Sequence, residues 1–540
     1  MSDKLFLFPA GQDQSGRVAV CGNRVFRGKL TLSLPALALL MGIFLQPMKA
    51  ETSSSAHSLV AHSIEVLSVR RDLRTLKSMK VTAQSVSFDT VENDHPGAPY
   101  YATFSTGTVI DDFQNHKSLS ESVNGTTTTR VLVTRDLIQN TTITDGKPAA
   151  PIVTLSPHSW ETCNALRTLL LADTATDLEL EKDVVRHEMT QHVVRFHHGP
   201  YLVRIFIDVF SGLPSATEAT IDFQEVTSEA VAWNAWGDVV ERTEYMNWNT
   251  VDGLRVPFQA DIFRNGDIRL TNTITEAHGD VPLDQDAFAV LPQSEADAAA
   301  LKRTNLDGLE LGKPVASAPA VNLPIAEIAP GIVQIPGSWY TTLVHQADGI
   351  VVIDAPISAA YSKRVLDEAA RRFPGVPVKA VIASTSFFWH IGGIREYAAR
   401  GIPIYVCDAN ASTMQRLLTA PHTIHPDDLT RSPKAKRIVR PISARTVIGS
   451  GQNQIVLFPI RHATQNMLMT YIADARLLHT GEELQPFGPN GSFVSSESQL
   501  EITYAVRDAG ITPDKVIGMH MSPTPWSKVG DQLRTEGVLP

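Results

Sequence analysis

A short segment from Val381 to Gly393 (VIASTSFFWHIGG) places three hydroxyl side chains, Ser384, Thr385 and Ser386, a few positions before His390. A nucleophilic hydroxyl needs a base within hydrogen-bond reach, an acid that orients the base, and donors that stabilise an oxyanion. No G-x-S-x-G sequence, which marks a nucleophile elbow, surrounds these hydroxyls. We therefore do not expect a serine or threonine nucleophile in this segment.

A second segment is rich in histidine. His187 and His192 belong to the sequence HEMTQH and are separated by five positions. A zinc-binding HExxH helix needs its two histidines four positions apart, so that both lie on one helical face. On a strand, an odd separation places the two side chains on opposite faces. We interpret both as histidines on the surface of a strand.

The residues of any functional site must be positioned by two regions that differ in their predicted secondary structure. Residues 51–300 are predicted to form a β-rich domain, because alternating segments such as Tyr201–Val209 are separated by turn sequences such as Asn265-Gly266. One helix is predicted near Trp160–Asp173. We expect a curved antiparallel sheet whose concave face could bind an apolar ligand or pack on the second domain. Residues 301–328 have a linker composition, and residues 329–540 alternate strands with helices, as in a layered α/β domain.

Five landmarks follow one another in the C-terminal region. They are Gly349–Pro356 (GIVVIDAP), Val381–Gly393, His462 after the strand Ile455–Pro459, Leu477–Glu482 (LLHTGE) and Val516–His520 (VIGMH). Their order resembles that of the metallo-β-lactamase superfamily, and in particular its secreted bacterial members that carry a β-rich domain before the hydrolase-like one. The resemblance implies an α/β fold class: a C-terminal αββα metallo-β-lactamase-like sandwich preceded by a mostly antiparallel β domain.

The metal loop of that superfamily, THxHxDHxGG, is altered in this chain. On alignment, its first two histidines fall on Thr385 and Phe387, and its aspartate falls on Trp389. The third histidine is retained as His390, followed by Gly392-Gly393. Phenylalanine cannot ligate a metal, and a neutral threonine hydroxyl is a poor zinc ligand beside imidazole or carboxylate. A pair of zinc ions is therefore not expected.

The resemblance implies four remnant metal ligands: His390, His462, Glu482 and His520. Three protein ligands and a water form the usual catalytic zinc site, so one zinc could still bind, with Glu482 as a ligand or as the catalytic base. The alternative is a site without metal, in which Phe387 and Trp389 fill the space and form a pocket with Thr385. We expect either no cofactor or one zinc.

The first fifty residues resemble an export signal. Arg17, Arg24, Arg27 and Lys29 precede an apolar run that ends at Leu45. The run has about 16 residues, which is shorter than the about 20 that a spanning helix needs. We expect residues 1–50 to be a signal peptide, with an N-terminal anchor as the alternative. The protein is accordingly predicted to be secreted or periplasmic, or else membrane-anchored through this apolar segment with its domains outside the cytoplasm.

The net charge of the chain and the altered metal loop lead to two interpretations of the function. The formal net charge of −10 argues against a nucleic-acid partner, because no basic excess neutralises phosphates. The first interpretation is a non-catalytic homologue that binds a small molecule or partner. The second is a metal-dependent hydrolase of ester, lactone, amide or thioester bonds with a single-metal site. If the side chains of Phe387 and Trp389 point into the site, they exclude the hydrolase, whereas side chains that point to the core or to the mouth of the site leave room for a metal.

Overall fold

A computed structural model describes residues 56–93, 97–124, 126–156, 158–302, 305–315, 323–460, 467–488 and 491–539. The predicted leader, part of the predicted linker and His462 lie outside these ranges. Within them, no helix combines the length and the apolar character needed to cross a membrane.

Fifteen strands of the described N-terminal region form one sheet in which every described pair is antiparallel. The strands are β1 (Ser78–Asp89), β2 (Tyr101–Asp112), β3 (Lys117–Asn124), β4 (Thr127–Val133), β5 (Leu137–Thr144), β6 (Lys147–Pro148), β7 (Ile152–Leu155), β8 (Glu179–Leu180), β9 (Val184–Arg186), β10 (Met189–His198), β11 (Tyr201–Asp208), β12 (Pro214–Ile221), β13 (Val239–Val251), β14 (Leu254–Arg264) and β15 (Asp267–Gly279). The order across the sheet is β5-β4-β3-β2-β1-β15-β14-β13-β12-β11-β10. The short strands β6 and β7 pair with β5 at one edge, and β8 and β9 pair with β10 at the other.

Two-residue turns join the last strands of this sheet. Asn265 and Gly266 connect β14 to β15 with φ angles of 48° and 89°, and Asp252 and Gly253 connect β13 to β14 with 48° and 85°. Positive φ at both central residues is the hairpin geometry that asparagine or aspartate followed by glycine tolerates best. The turn signals in the sequence therefore predicted these two hairpins.

Four helices accompany the sheet: α1 (Ala56–Leu67), α2 (Ala165–Asp173), α3 (Ser228–Asn234) and α4 (Pro292–Leu301). The predicted helix near Trp160–Asp173 is a 3-10 segment, His158–Cys163, followed by α2. The break lies at Asn164, whose side chain accepts the backbone N–H groups of Leu166 and Arg167 and so caps the start of α2.

The C-terminal region contains two further sheets. The first has the order β16 (Ala326–Ala329), β17 (Ile332–Ile335), β18 (Thr341–Gln346), β19 (Gly349–Ile353), β20 (Val378–Ile382), β21 (Ile404–Cys407) and β22 (Val439–Ile442). The second has the order β23 (Thr446–Ile448), β24 (Ile455–Pro459), β25 (Leu468–Ile472), β26 (Leu477–His479), β27 (Lys515–Gly518) and β28 (Met521–Pro525). The helices are α5 (Ala359–Arg372), α6 (Phe388–Ile391), α7 (Ile394–Ala399), α8 (Ala411–Thr419), α9 (Asp428–Arg431), α10 (Ser496–Asp508) and α11 (Ser527–Thr535).

Both faces of these two sheets are buried. On β19, Ile350 and Val352 pack in the cluster that contains side chains of α5, whereas Val351 and Ile353 pack between the sheets. Strand β24 repeats this pattern: Val456 and Phe458 pack with α10 and α11, and Ile455 and Leu457 face the first sheet. Side chains alternate across a strand, so a strand that is apolar at every position contributes to a hydrophobic layer on each of its two faces. The result is an αββα sandwich, which confirms the fold class expected from the sequence.

An aromatic contact joins the β-rich region to the sandwich. The ring of Phe388 lies 5.3 Å from that of Trp233 and 5.2 Å from that of Trp236, centroid to centroid. The backbone N–H of Phe388 donates to the carbonyl oxygen of Val91 at 3.4 Å. The described residues from Ala56 onward belong to one compact unit, and the domain boundaries drawn from the sequence remain a prediction.

We predict that Phe388→Ala lowers the free energy of unfolding by about 3–5 kcal/mol, as expected when a buried aromatic ring is deleted from a core. Phe388 is only 8% exposed, whereas Phe104 is 72% exposed, so Phe104→Ala is the matched control and should change stability by less than about 0.5 kcal/mol. Urea denaturation followed by circular dichroism measures both. A loss below about 1 kcal/mol for Phe388→Ala would show that the contact between the two regions is weak.

Candidate metal centre

The ends of four strands bring distant segments together. Asp354 directly follows β19, Ser384 follows β20, Glu482 follows β26, and His520 follows β27. Strands β19 and β20 are parallel, as are β26 and β27, so the carboxyl ends of each pair lie at one edge of their sheet. Loops at such edges are where layered α/β folds usually carry their functional residues.

Three side chains from these loops form a cluster that could hold a metal. One ligand-type atom each from His390, Glu482 and His520 lies within 4.8 Å of the other two. Glu482 is the shared member: its Oε2 contacts His390 Nε2, and its Oε1 lies 3.2 Å from His520 Nε2. The imidazole of His390 is completely buried, and the side chains of Glu482 and His520 are each 8% exposed. The cluster therefore lies almost entirely out of contact with bulk water.

The position of His390 depends on two adjacent glycines. His390 lies in the single-turn helix α6, whose carbonyl oxygens at Trp389 and His390 accept the backbone N–H groups of Ile357 and Ala355 at 3.2 Å each. A Cβ atom on Gly392 would lie 2.3 Å from the carbonyl oxygen of Ile357, and one on Gly393 would lie 2.1 Å from Ser362 Oγ. Only glycine allows this close approach. The glycine pair of the metal loop is therefore needed to bring α6 against the segment after β19.

A turn after β26 places Glu482 beside His520. Gly481 has a φ of 59°, and its N–H donates to His479 Nδ1 at 3.1 Å. Its carbonyl oxygen accepts the N–H of Met519 at 2.9 Å, which ties the turn to the residue before His520. The two loops that carry Glu482 and His520 are thus joined by a backbone hydrogen bond.

The electrostatics of the cluster favour an ionised carboxylate beside neutral imidazole. Burial alone would raise the pKa of Glu482, but the adjacent His390 and His520 outweigh it and lower that pKa. Burial lowers the pKa of His390, and Glu482 offsets this only in part. At neutral pH Glu482 is therefore negative and His390 retains a lone pair on one ring nitrogen, which are the forms that ligate a cation.

A second buried network lies behind the cluster. The Asp354 carboxylate accepts the backbone N–H of Ser384 at 2.7 Å and the Ser384 hydroxyl at 2.9 Å, and His479 Nε2 lies 3.6 Å from it. Burial, together with a smaller effect of His390, lowers the pKa of His479 to about 3, so its ring is neutral. The carbonyl oxygen of Ser384 also accepts the N–H of Leu468 at 2.7 Å. This network holds the start of the metal loop against the second sheet.

The three residues that replace metal ligands have separate surroundings. Phe387 is 6% exposed and packs in the cluster formed by the second sheet, α10 and α11, with its ring centroid 6.2 Å from that of His390. Trp389 is half-buried and packs against the same cluster and against the larger core. The hydroxyl of buried Thr385 accepts the N–H of Phe387 at 3.2 Å. The two aromatic side chains pack into cores and do not separate His390, Glu482 and His520.

Sequence reasoning predicted the three clustered residues but missed the network around Asp354. Asp354 belongs to the GIVVIDAP landmark and His479 to the LLHTGE landmark, but the sequence assigned no role to either. A signal was present, since a carboxylate directly after a fully apolar strand must find a buried partner. The remaining predicted ligand, His462, lies outside the described residues.

The donor set fits a single divalent metal. Two histidines and a glutamate form one of the standard three-ligand sets of catalytic zinc. His390 Nδ1 has no hydrogen-bond partner among the described residues, whereas His390 Nε2 and Glu482 Oε2 contact each other. Imidazole nitrogens and carboxylate oxygens that converge this closely are chemically suited to share a cation.

Comparisons with known proteins give distant matches among solved structures. A metallo-beta-lactamase from Pontibacter korlensis is 14% identical, with a TM-score of 0.31 over 39% of this chain and 97% of that chain. TMB-1 is 12% identical, with a TM-score of 0.31 over 40% of this chain and 99% of its own. The inverting sec-alkylsulfatase Pisa1 from Pseudomonas sp. is 16% identical, with a TM-score of 0.28, and only 40% of its length is matched by 38% of this chain.

No protein-family model matches the sequence, and no curated protein matches it significantly. The likenesses to these solved structures concern about two fifths of the chain. The fold is accordingly established by the order of its layers and by the faces that its strands bury.

We predict that Asp354→Asn makes the protein more stable at pH 8. Burial, opposed by the two hydrogen bonds from Ser384, raises the pKa of Asp354 from its ordinary 3.8 to about 7. Between these values the folded chain holds a proton that the unfolded chain releases, so this group's contribution to stability falls as pH rises through that window. Asparagine is neutral throughout, and the gain at pH 8 should be about 2–4 kcal/mol.

Urea unfolding from pH 4 to pH 8 measures this difference. Asp508→Asn is the control, because the Asp508 side chain is 61% exposed and its neutralisation should leave the pH profile unchanged. A profile for Asp354→Asn that runs parallel to that of the unmodified protein would contradict the assignment.

Proposed function

We propose that the protein is a metal-dependent hydrolase with one divalent metal, held by His390, Glu482 and His520. The observation that supports this is the convergence of one carboxylate and two imidazoles within 4.8 Å, at an edge where loops of both sandwich sheets meet. The reaction class is hydrolysis of an ester, lactone, amide or thioester bond, as the resemblance to the metallo-β-lactamase superfamily implies. The altered loop favours one metal over two.

Each residue of the cluster would have its own role in the reaction. Glu482 supplies the negative charge of the site, and His390 and His520 supply imidazole nitrogen donors. When bound, zinc lowers the pKa of a coordinated water to about 7 and so makes hydroxide available at neutral pH. Phe387 and Trp389 keep one side of the site apolar, which strengthens electrostatic interactions within it.

Phe487 marks the side from which a substrate could approach. Its ring centroid lies 5.3 Å from that of His520, and Phe487 is 48% exposed. When backbone and side chain are counted together, His520 is half-buried, whereas His390 and Glu482 are buried. An apolar side chain at this rim suits a substrate that presents an apolar group next to its scissile bond.

A metal-free binding protein remains the second candidate function. In that case Glu482 is held only by its contacts with His390 and His520, and the replacement of ligands by Thr385, Phe387 and Trp389 leaves no metal site. Its partner would be a small molecule or another protein, and the net charge of −10 argues against nucleic acid. Metal content separates the two candidates.

We predict about one tightly held zinc per chain after zinc loading and exhaustive dialysis, measured by elemental mass spectrometry. His390→Ala, His520→Ala and Glu482→Gln should each reduce zinc affinity by more than about a hundredfold, because each removes a direct ligand. His187→Ala is the matched control, since its side chain is 71% exposed and lies outside the cluster. Near-zero metal would leave the binding protein as the function, and two zinc ions per chain would contradict a single-metal site.

We also propose that the protein acts outside the cytoplasm, on the strength of the basic and apolar leader in residues 1–50. Cell fractionation and the intact mass of the exported chain check this. A chain that begins at Glu51 indicates a cleaved signal, and a membrane-bound chain of full mass indicates an anchor. Recovery of the full-length chain in the cytoplasm would contradict both.

A further inference from the structure

The large N-terminal sheet lines two adjoining cavities that are separate from the metal cluster. The first has a volume of about 450 Å³ and the second about 540 Å³. They share a wall formed by six residues, Val109, Ser118, Ser120, Trp160, Cys163 and Ile262. Each volume lies in the range of about 300–1,000 Å³ that small-molecule sites occupy.

The first cavity is formed by one face of neighbouring strands. Ser120 on β3 is the cross-strand partner of Val109 on β2, which in turn pairs with Val81 on β1, and all three line the cavity. Asn272 on β15 pairs with Ser85 on β1 at one side and with Ala260 on β14 at the other. Directly paired residues share a face, so the lining is a continuous surface of the sheet.

This lining combines aliphatic side chains with hydroxyl groups. Met79, Val81, Val256, Leu270 and Ile274 supply the apolar part. The hydroxyls on strands β1 to β3 belong to Ser85, Ser87, Ser105, Thr108, Ser118, Ser120 and Ser122. A hydroxyl both donates and accepts a hydrogen bond, so this wall can satisfy a neutral polar group without adding charge.

The ionic groups that line the first cavity already have ionic partners. Asp111 Oδ1 lies 3.1 Å from Arg167 Nη2, and Glu121 Oε2 lies 2.7 Å from Arg130 Nη2. The second cavity is lined by three acids, Glu225, Glu229 and Glu241, and by two arginines, Arg264 and Arg269. Arg264 bonds to both Glu241, at 2.7 Å, and Glu229, at 2.5 Å. The acids outnumber the bases by one, which disfavours an anionic ligand.

We propose that these two cavities form a binding site for an uncharged acyl ester. The aliphatic surface would hold the hydrocarbon chain, and the serine hydroxyls would donate to the ester carbonyl. The excess of acidic side chains in the second cavity discriminates against the free carboxylate of the same chain length. This site is independent of the metal cluster and of the hydrolase proposal, because none of its lining residues belongs to the cluster.

Displacement of a fluorescent probe tests the site. The purified protein is titrated with N-phenyl-1-naphthylamine, which is uncharged, and the bound probe is displaced with methyl laurate or with laurate, which differ only at the head group. We expect methyl laurate to displace the probe at a concentration at least about tenfold lower than laurate does. Equal displacement by the two would overturn the preference for an uncharged ligand, and no displacement by either would overturn the site.

A filling variant locates the binding. Ser120 lines both cavities, so Ser120→Phe should reduce probe affinity by at least about tenfold. Thr106→Phe is the matched control, because Thr106 is exposed and alternates with the lining residues Ser105 and Gly107 of β2. Unchanged affinity in a folded Ser120→Phe protein would overturn the proposal. If circular dichroism shows that Ser120→Phe is unfolded, the smaller substitution Ala83→Leu in the first cavity is tested in its place. Unchanged probe affinity in that folded variant would then overturn the proposal.

Trp160 provides a second readout in the shared wall. A dibrominated methyl stearate should quench part of the protein's tryptophan fluorescence, because bromine quenches only at short range. Trp160→Phe should abolish that quenchable part and leave the remaining emission unchanged. Quenching of the same size in Trp160→Phe would place the ester elsewhere and overturn the assignment.

Discussion

A carboxylate in a dry interior needs polar partners, and in this protein that requirement falls on Glu482. The turn after β26 places its side chain between two imidazoles from other segments, and the backbone hydrogen bond from Met519 to Gly481 keeps those segments together. The glycine pair after His390 allows α6 to approach closely enough to take part. Because the three side chains come from loops on both sheets of the sandwich, the site can exist only when the two sheets pack face to face.

The layered architecture could be predicted because its signal is local. Strands such as β19 and β24 are apolar at every position, which indicates burial on both faces, and the turns at Asn265-Gly266 and Asp252-Gly253 have the residues that tight hairpins need. Three of the four remnant ligands were predicted by resemblance, and the structure brings His390, Glu482 and His520 together. The strand order of the large sheet could not be predicted, because the pairing of β1 with β15 closes a long loop that carries no local signal.

The aromatic residues of the altered metal loop show where sequence reasoning stopped. The sequence indicates that Phe387, Phe388 and Trp389 must be buried somewhere, but it does not say in which core. In the structure they pack in different directions: Phe387 into the second sheet's outer layer, Phe388 against Trp233 and Trp236, and Trp389 against both cores. Contacts such as that of Phe388 with Trp233 depend on tertiary packing between residues far apart in the chain. The connection between the two regions is thus made by Phe388, a residue of the loop that does not replace a ligand.

The edges of the fifteen-stranded sheet bear on how the protein behaves at high concentration. A long sheet with open edges offers unpaired backbone groups to neighbouring molecules, which is the usual start of strand-mediated aggregation. Here the outer strands β5 and β10 are each covered by two short strands, and those at the ends include Lys147-Pro148 and Glu179-Leu180. A strand of two residues has few backbone groups that could hydrogen-bond to a strand of another chain, and proline has no backbone N–H. These two-residue strands therefore leave a neighbouring copy of the protein little backbone to pair with at the two ends of the sheet.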